Sequence, residues 1–375
     1  MKKKIAIIGS GIGGLTAANL LIKNSDIEII VYEKEKMLSL DEGYGIQLAP
    51  NSISILNKIG FGNINKNDIF NPLKLNFYSN NNKICDLDLG KFNNESIKYT
   101  TLQRSTLIEF LKDKLFANNF RFGKEVRKVS KIKDKLLINF SDHTNDLVDF
   151  IIVSDGVFSN TKSIIEKKDI KPRYNGSVAI RTVIKFSEEF DYESKNISLI
   201  MFPNAHVVIY PINKKNDFNL VCIVREKLSQ NYDIHSIIKK KILSKNKNLE
   251  NLLKADLNLW PVYVTKKPIK SIHDNVFYLG DAFYTFVPAL AQGASQSIEA
   301  AFELFNLLNE NKKNVQNLYF KRRLKRTKQI NKRSKFNYFG FHISNPLLEI
   351  LRNFFLKRLV INKNFIQSYL GKIYK

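Results

Sequence analysis

The β-branched run of residues 4–9, Lys-Ile-Ala-Ile-Ile-Gly, opens into the pattern Gly9-x-Gly11-x-x-Gly14, and a stretch with Leu15, Ala18, Leu21 and Ile22 at helical spacing follows at once. This order of strand, glycine turn and helix constrains the chain more than any other feature, because the glycine spacing has physical meaning only there. Residues 27–33, Ile-Glu-Ile-Ile-Val-Tyr-Glu, read as a second strand and complete a βαβ unit. Such a unit demands a parallel sheet with helices on its faces. Gly9 permits the tight turn, Gly11 leaves room for a pyrophosphate against the backbone, and Gly14 lets the helix pack closely on the strand. The helix N-terminus offers free N–H groups and about half a positive charge. Glu33 closes the second strand, 24 residues after Gly9. Its carboxylate can accept from both hydroxyls of an adenosine ribose and repels a 2′-phosphate, so an NADP-type ligand is a poor occupant.

A second signature stands near the other end: Val276-Phe-Tyr-Leu-Gly-Asp281, then Pro288 and Ala291-Gln-Gly-Ala294. The first alone indicates a dinucleotide; the two together indicate FAD held from both ends. Between them, helices are expected over 50–60, stopped at Gly60, and over 104–117, and a strand over 147–155. From about 172 to 265 strand-like segments dominate: Val178–Ile184, Ile197–Phe202, His206–Pro211 and Leu220–Val224. Residues 276–281 return to a short buried strand and 294–309 to a helix. The expected fold class is α/β: a Rossmann-type FAD-binding domain with an inserted β-rich substrate domain and a C-terminal helical segment. Its expected boundaries are 1–70, 98–170 and 268–312 for the discontinuous FAD-binding domain, 71–97 and 171–267 for the substrate domain, and 313–375 for the helical segment.

The 375 residues suffice for a large core without disulfides. No apolar run reaches the roughly 18–20 residues that span a bilayer. Cys85 and Cys222 stand far apart in no metal spacing, which points to a reducing cytoplasm. The Met1-Lys-Lys-Lys start resembles a signal peptide, but cleavage there would remove the fingerprint. Net charge is +25. The excess reads as lysine spread along the whole chain, a compositional effect, and scarce arginine argues against nucleic acid as a partner. His143, His235, His273 and His342 show no ligand spacing, so neither metal nor haem is expected.

With both ends in view, the chain resembles the class A flavoprotein monooxygenases, the aromatic-ring hydroxylases with a para-hydroxybenzoate-hydroxylase-like fold, most of all their salicylate-hydroxylase-like branch. The resemblance runs from residue 1 to about 310. Gly43-Tyr-Gly-Ile-Gln-Leu-Ala-Pro-Asn51 is similar to the family's loop beside the flavin ring, which implies Gly45, Ile46 and Gln47 as cofactor contacts. Leu102-Gln-Arg-Ser-Thr-Leu107 is similar to a helix start whose arginine touches FAD, here Arg104. Ser154-Asp-Gly-Val-Phe-Ser159 matches the Asp-Gly motif, implying contacts from Asp155 and Gly156 to FAD and to transient NAD(P)H; Val153 replaces its usual first glycine, and Lys162 stands where arginine is common. Gly280-Asp281 matches the motif whose aspartate binds the ribityl chain. Pro288, Gln292, Gly293 and Ala294 lie in a segment leading to a helix that, by resemblance, points at the flavin N1–C2=O edge. The implied nucleotide contacts also include Gly9, Gly11, Gly13, Gly14 and Glu33. Phe283-Tyr284 replaces the usual Ala-His, and Glu299-Ala-Ala301 the usual Glu-Asp-Ala. Asn175-Gly-Ser-Val-Ala-Ile-Arg181, with Ile180 in place of tryptophan, and His206-Val-Val-Ile-Tyr-Pro211 resemble the strands that roof the substrate cavity.

The resemblance implies a monooxygenase that uses NAD(P)H and O2 to hydroxylate a small phenol- or benzoate-like aromatic through a flavin C4a-hydroperoxide. Tyr284, Arg181 and His206 are the candidates to assist, although a lone tyrosine or histidine is more often a packing residue. An alternative is a flavin hydroxylase or epoxidase of an isoprenoid quinone or polyene at a membrane surface. It draws on Leu347, Leu348, Ile350, Leu351, Phe354, Phe355 and Leu359 behind the basic run Lys321–Lys335, which otherwise read as a helix packed over the FAD domain. A non-catalytic FAD-binding protein is the second alternative. A halogenase is disfavoured, because Trp260 is the only tryptophan.

Overall fold

The computed structural model describes residues 2–38, 40, 44–185, 192–254, 256–310 and 313–374. Its central sheet is five parallel strands in the order β18 (Val276–Tyr278), β12 (Phe150–Val153), β1 (Lys3–Ile8), β2 (Ile27–Tyr32) and β8 (Phe120–Arg121). The unbroken apolar runs of β1 and β2 follow from burial on both faces. Ile5, Ile7, Ile29 and Val31 pack beneath helices α1 (Ile12–Leu21), α3 (Arg104–Lys112) and α6 (Gly293–Asn309). Ala6, Ile8, Ile30 and Tyr32 face the opposite way, onto a three-stranded sheet of β9 (Val126–Ile132), β10 (Lys135–Phe140) and β11 (Asn145–Val148), together with Ile165 of helix α4 (Asn160–Glu166).

Two expectations are corrected here. The strand expected over 147–155 is two strands, β11 and β12, that belong to different sheets. Asp149 is the pivot: its carboxylate accepts from Lys4 N at 2.8 Å and its own N–H donates to Lys4 O at 2.8 Å. The helix expected over 104–117 stops at Lys112, where a turn from Leu115 N to Lys112 O at 2.9 Å buries Leu115 in the core.

The β-rich region is a seven-stranded sheet in the order β17 (Asn258–Val264), β13 (Arg173–Lys185), β16 (Asp217–Arg225), β15 (Ala205–Pro211), β14 (Ile197–Phe202), β5 (Lys74–Ser79) and β6 (Asn82–Asp88). Its period-2 alternation divides it cleanly. Val178, Ile180, Val207, Leu220 and Cys222 pack outward against the segment around helix α5 (Ile234–Ile238). Leu199, Met201 and Tyr210 pack inward against Ala49, Leu290 and Ile330. A small sheet of β3 (Gly45–Leu48), β7 (Thr100–Gln103) and β4 (Ile69–Phe70) joins the two regions and leads into helix α2 (Pro50–Asn57).

The chain then runs through α7 (Val315–Phe341) and α8 (Pro346–Ile361). Residues 315–375 hold 15 of the 60 Lys and Arg but one of the 35 Asp and Glu, a net +14 of the chain's +25. Among the described residues no helix is long and apolar enough to cross a membrane, and none form a cluster of three or more potential metal ligands.

Candidate functional site

The groove begins where β1 ends. Gly9 has φ +100°, and a Cβ there would lie 2.7 Å from Ser154 O, so only glycine fits the turn. A Cβ on Gly14 would lie 2.2 Å from Gly9 O, which is how closely α1 approaches the strand. Gly11 differs from both, because a Cβ there meets nothing within 4 Å. It caps α1 without a side-chain partner, so the first N–H groups of the helix face an open space. Glu33 reaches this mouth from β2. Its Oε2 accepts from Ser10 N at 2.9 Å and Ser10 Oγ at 2.6 Å, which fixes the carboxylate beside the glycine turn. Gly13 packs against the end of the Leu279 side chain. Arg104 begins α3, its N–H donating to Tyr44 O at 2.9 Å; Gly43 of the neighbouring motif lies outside the described residues.

The far wall is made by the β12 and β18 ends. Asp155 accepts from Thr161 N at 3.3 Å through Oδ2, while Oδ1 is buried with no partner among the described residues. Burial pushes its carboxyl up, opposed by hydrogen bonds from Ser159 and Thr161. Gly156 adopts φ +88° beside it. Lys162, at the arginine position of the motif, is buried and donates to Ala282 O at 2.8 Å, tying the Asp155 loop to the Asp281 loop. The protein packed around the Asp281 carboxyl pushes it up to about 6. Gln292 accepts from Asn51 Nδ2 at 3.3 Å, yet its own Nε2 is buried without a partner among the described residues. Gly293 opens α6 onto free space, and Ala294 follows half-buried; Pro288 is exposed on the same loop. A buried acceptor, a buried donor and two open helix N-termini are the polar complement that a long ligand with phosphates, hydroxyls and a ring amide would satisfy.

The inner face of the seven-stranded sheet packs against Ala49 and Leu290, beside this groove. Gly45 N donates to Asn219 Oδ1 at 2.7 Å, and a Cβ at Gly45 would lie 2.5 Å from Asn219 Cβ, so β3 is pressed against β16. Ile46 is half-buried on the same strand, and Gln47 Oε1 accepts from Tyr99 OH at 2.8 Å. Burial pushes the Tyr210 phenol up, while the Arg181 guanidinium and hydrogen bonds with Gln47 and Asn219 pull the other way. Arg181 stands on β13, one strand (β16) removed from the strand of Tyr210, with its Nε buried and unpartnered among the described residues. Tyr210, Asn219 and Tyr99 were not singled out from sequence. Tyr210 had a signal in the His206–Pro211 motif; the other two had none.

The remaining catalytic candidates part company here. His206 is buried, with Nδ1 2.7 Å from His342 Nε2 and its ring 5.3 Å edge-on to Phe341. Burial drives the two imidazoles down to about 3 and about 2, so both are neutral over the physiological range. The structure places His206 in the seam between the sheet and α7, as a packing residue. Tyr284 is half-buried, 5.0 Å from the Phe286 ring, and burial pushes its phenol up. A cleft of about 620 Å³ opens behind α2, lined by Asn51, Glu299, Glu303, Arg322, Arg323 and Arg326.

Known proteins share this fold. The model of the FAD binding domain family matches residues 2–334. A 3-amino-4-hydroxybenzoate 2-monooxygenase of Streptomyces platensis is 24% identical over 370 residues, covering 94% of this chain and 92% of that protein. The crystal structure of Klebsiella pneumoniae HpxO complexed with FAD and uric acid superposes with a TM-score of 0.86 at 19% identity, over 98% of this chain and 97% of that one. A salicylate hydroxylase substrate complex gives 0.80 at 19% identity, over 100% and 97%. These superpositions establish the shared fold.

Proposed function

The chain belongs to the FAD binding domain family, and we propose that within it the protein is a monooxygenase that uses NAD(P)H and O2 to hydroxylate a small phenol- or benzoate-like aromatic. Membership makes it a flavin-dependent oxidoreductase. The substrate class is supported by the relatives' names, which give an aminohydroxybenzoate and salicylate as substrates. The observation that carries the reading is a groove whose buried polar atoms Asp155 Oδ1 and Gln292 Nε2 have no partner among the described residues, with Arg181 and Tyr210 on the sheet that packs against it.

Bound FAD would supply two-electron transfer from the coenzyme and the activation of O2. The chain's own residues would hold and surround it. The α1 N-terminus at Gly11 takes the pyrophosphate, with Arg104 adding positive charge, and Glu33 takes the adenosine ribose. Asp281 accepts from a ribityl hydroxyl, Asp155 and Gly156 line the pyrophosphate side, and the α6 N-terminus at Gly293 and Ala294 faces the ring amide edge. Gln292 would offer its Nε2, which has no partner among the described residues, to a ring acceptor, and Pro288 with Gly45, Ile46 and Gln47 would flank the ring.

Substrate would lie between that ring and the inner face of the roof. The Arg181 guanidinium would anchor a carboxylate or phenolate. Tyr210 stays protonated and donates a hydrogen bond to a ring substituent; Tyr284 can do the same from the loop side. Phe286, Leu290 and Met201 supply an apolar wall that keeps water from the reacting centre. Coenzyme oxidation by the purified protein, measured against phenols, benzoates and hydroxylated pyridines with peroxide monitored, tests this. One aromatic class should raise coenzyme consumption with product matching O2 uptake. No flavin bleaching by NADH or NADPH under anaerobic conditions, with any of these ligands, would leave a non-catalytic FAD-binding protein.

A further inference from the structure

Helix α8 is amphipathic the wrong way round for a surface helix. Leu347, Leu348, Ile350, Leu351, Phe354 and Phe355 are each between 46% and 72% exposed. Arg352 and Glu349 turn inward instead: Arg352 donates to Ser79 Oγ at 2.9 Å and to Gly340 O at 3.3 Å, and the Glu349 carboxylate accepts from Ser79 Oγ. Leu356, Leu359 and Val360 complete the inward face. Six large apolar side chains on one helix form a contiguous patch of the kind that marks an interaction surface.

Helix α7 leads into that patch with charge. Lys321, Lys325, Lys328, Lys332 and Lys335 recur every three or four residues, all exposed, on one stripe that ends in exposed Phe336 and Phe339, just before the turn into α8. Among the described residues, the ion pairs of this segment engage Arg322, Arg323, Arg326 and Arg352, leaving the lysine stripe out of them. Lys357 and Arg358 are exposed within α8 itself, Arg358 over the Phe354 ring at 5.5 Å.

We propose that α8 and the lysine stripe of α7 dock this protein on the surface of an anionic lipid bilayer, with α8 lying in the interface and its Leu and Phe side chains among the acyl chains. Apolar insertion and a polybasic stripe are the two signals that together hold a protein on a membrane without spanning it. A second copy is disfavoured as the cover, because two segments of net +14 would be brought face to face. The docking does not depend on the flavin reading.

The test is flotation of the purified holoprotein with phosphatidylcholine vesicles, plain or with one lipid in three replaced by phosphatidylglycerol. The protein should float with the anionic vesicles, and salt should release it. Leu351→Ser/Phe354→Ser/Phe355→Ser and Lys328→Gln/Lys332→Gln/Lys335→Gln should each weaken binding by about tenfold or more while keeping bound flavin and melting temperature. In the wild type, bound vesicles should shield Lys357 and Arg358 from trypsin, a readout that needs no variant. Three results would overturn the proposal: protein left in the aqueous fraction with both vesicles, binding untouched by either variant set, or a dimer dissolved by the α8 substitutions with no vesicle binding.

Discussion

The two ends of the groove are built by different means. At the end beside β1, where we propose the nucleotide lies, the backbone does the work: Gly9, Gly11 and Gly14 shape a turn, and α1 presents its N–H groups. At the other end, the proposed place of the ring, side chains do it, and they come from five separate segments: Gln47 on β3, Arg181 on β13, Tyr210 on β15, Asn219 on β16 and Tyr284 in the loop after β18. The first kind of site is local in sequence and tolerates almost no change of shape. The second is assembled by the fold and can change chemistry without changing structure.

The sharpest way to break this contrast is at the glycines. Gly14→Val would drive a branched side chain into Gly9 O, so loss of fold or of all bound flavin is expected, read by melting temperature and flavin-to-protein ratio. Gly11→Ala should behave differently: the apoprotein has room for the methyl and should melt within about 0.5 kcal/mol of wild type, while FAD binds more weakly because the pyrophosphate does not have that room. Equal loss of apo stability in both would break the distinction. Arg181→Gln should leave FAD content intact and raise the substrate KM by roughly 10- to 100-fold, the weight of a charge-assisted hydrogen bond.

The comparison sharpens with pH. The Asp281 carboxyl is pushed up to about 6 by its surroundings, so it is neutral at pH 5 and ionised at pH 7. Ionised, it is the better acceptor for a ribityl hydroxyl. FAD affinity should therefore rise, by about tenfold, between pH 5 and pH 7, and Asp281→Asn should flatten that rise. Apoprotein stability should run the other way, because a raised carboxyl contributes stability below its ordinary range and loses it as pH passes 6. The smallest effect on turnover is expected at His206. His206→Gln should leave the kcat–pH profile between pH 5 and 9 unchanged and lower stability by about 1–3 kcal/mol, since the buried His342 loses its partner.

The same division explains what could be read from the sequence. The fingerprint, Glu33 and the runs of β1 and β2 are contiguous and carry their own periodicity, so the parallel sheet and the groove's first wall were legible. The split at Asp149 was not, because a two-strand switch between sheets looks like one apolar run until Lys4 is seen across it. Tyr99 and Asn219 were invisible because their partners, Gln47 and Gly45, are 52 and 174 residues away. His206 was ambiguous for the same reason: its partner His342 is 136 residues on, in a helix whose docking no local pattern fixes. The apolar residues of the tail were visible, but which of them face out was decided by Ser79 capturing Arg352.

The most direct test is the flavin itself. Titration of apoprotein with FAD, followed by quenching of flavin fluorescence and by the bound absorption spectrum, should saturate at one FAD per chain and show marked loss of affinity in Gly11→Ala and Asp281→Asn. Colourless protein that neither quenches added FAD nor gains thermal stability from it would contradict the account at its root.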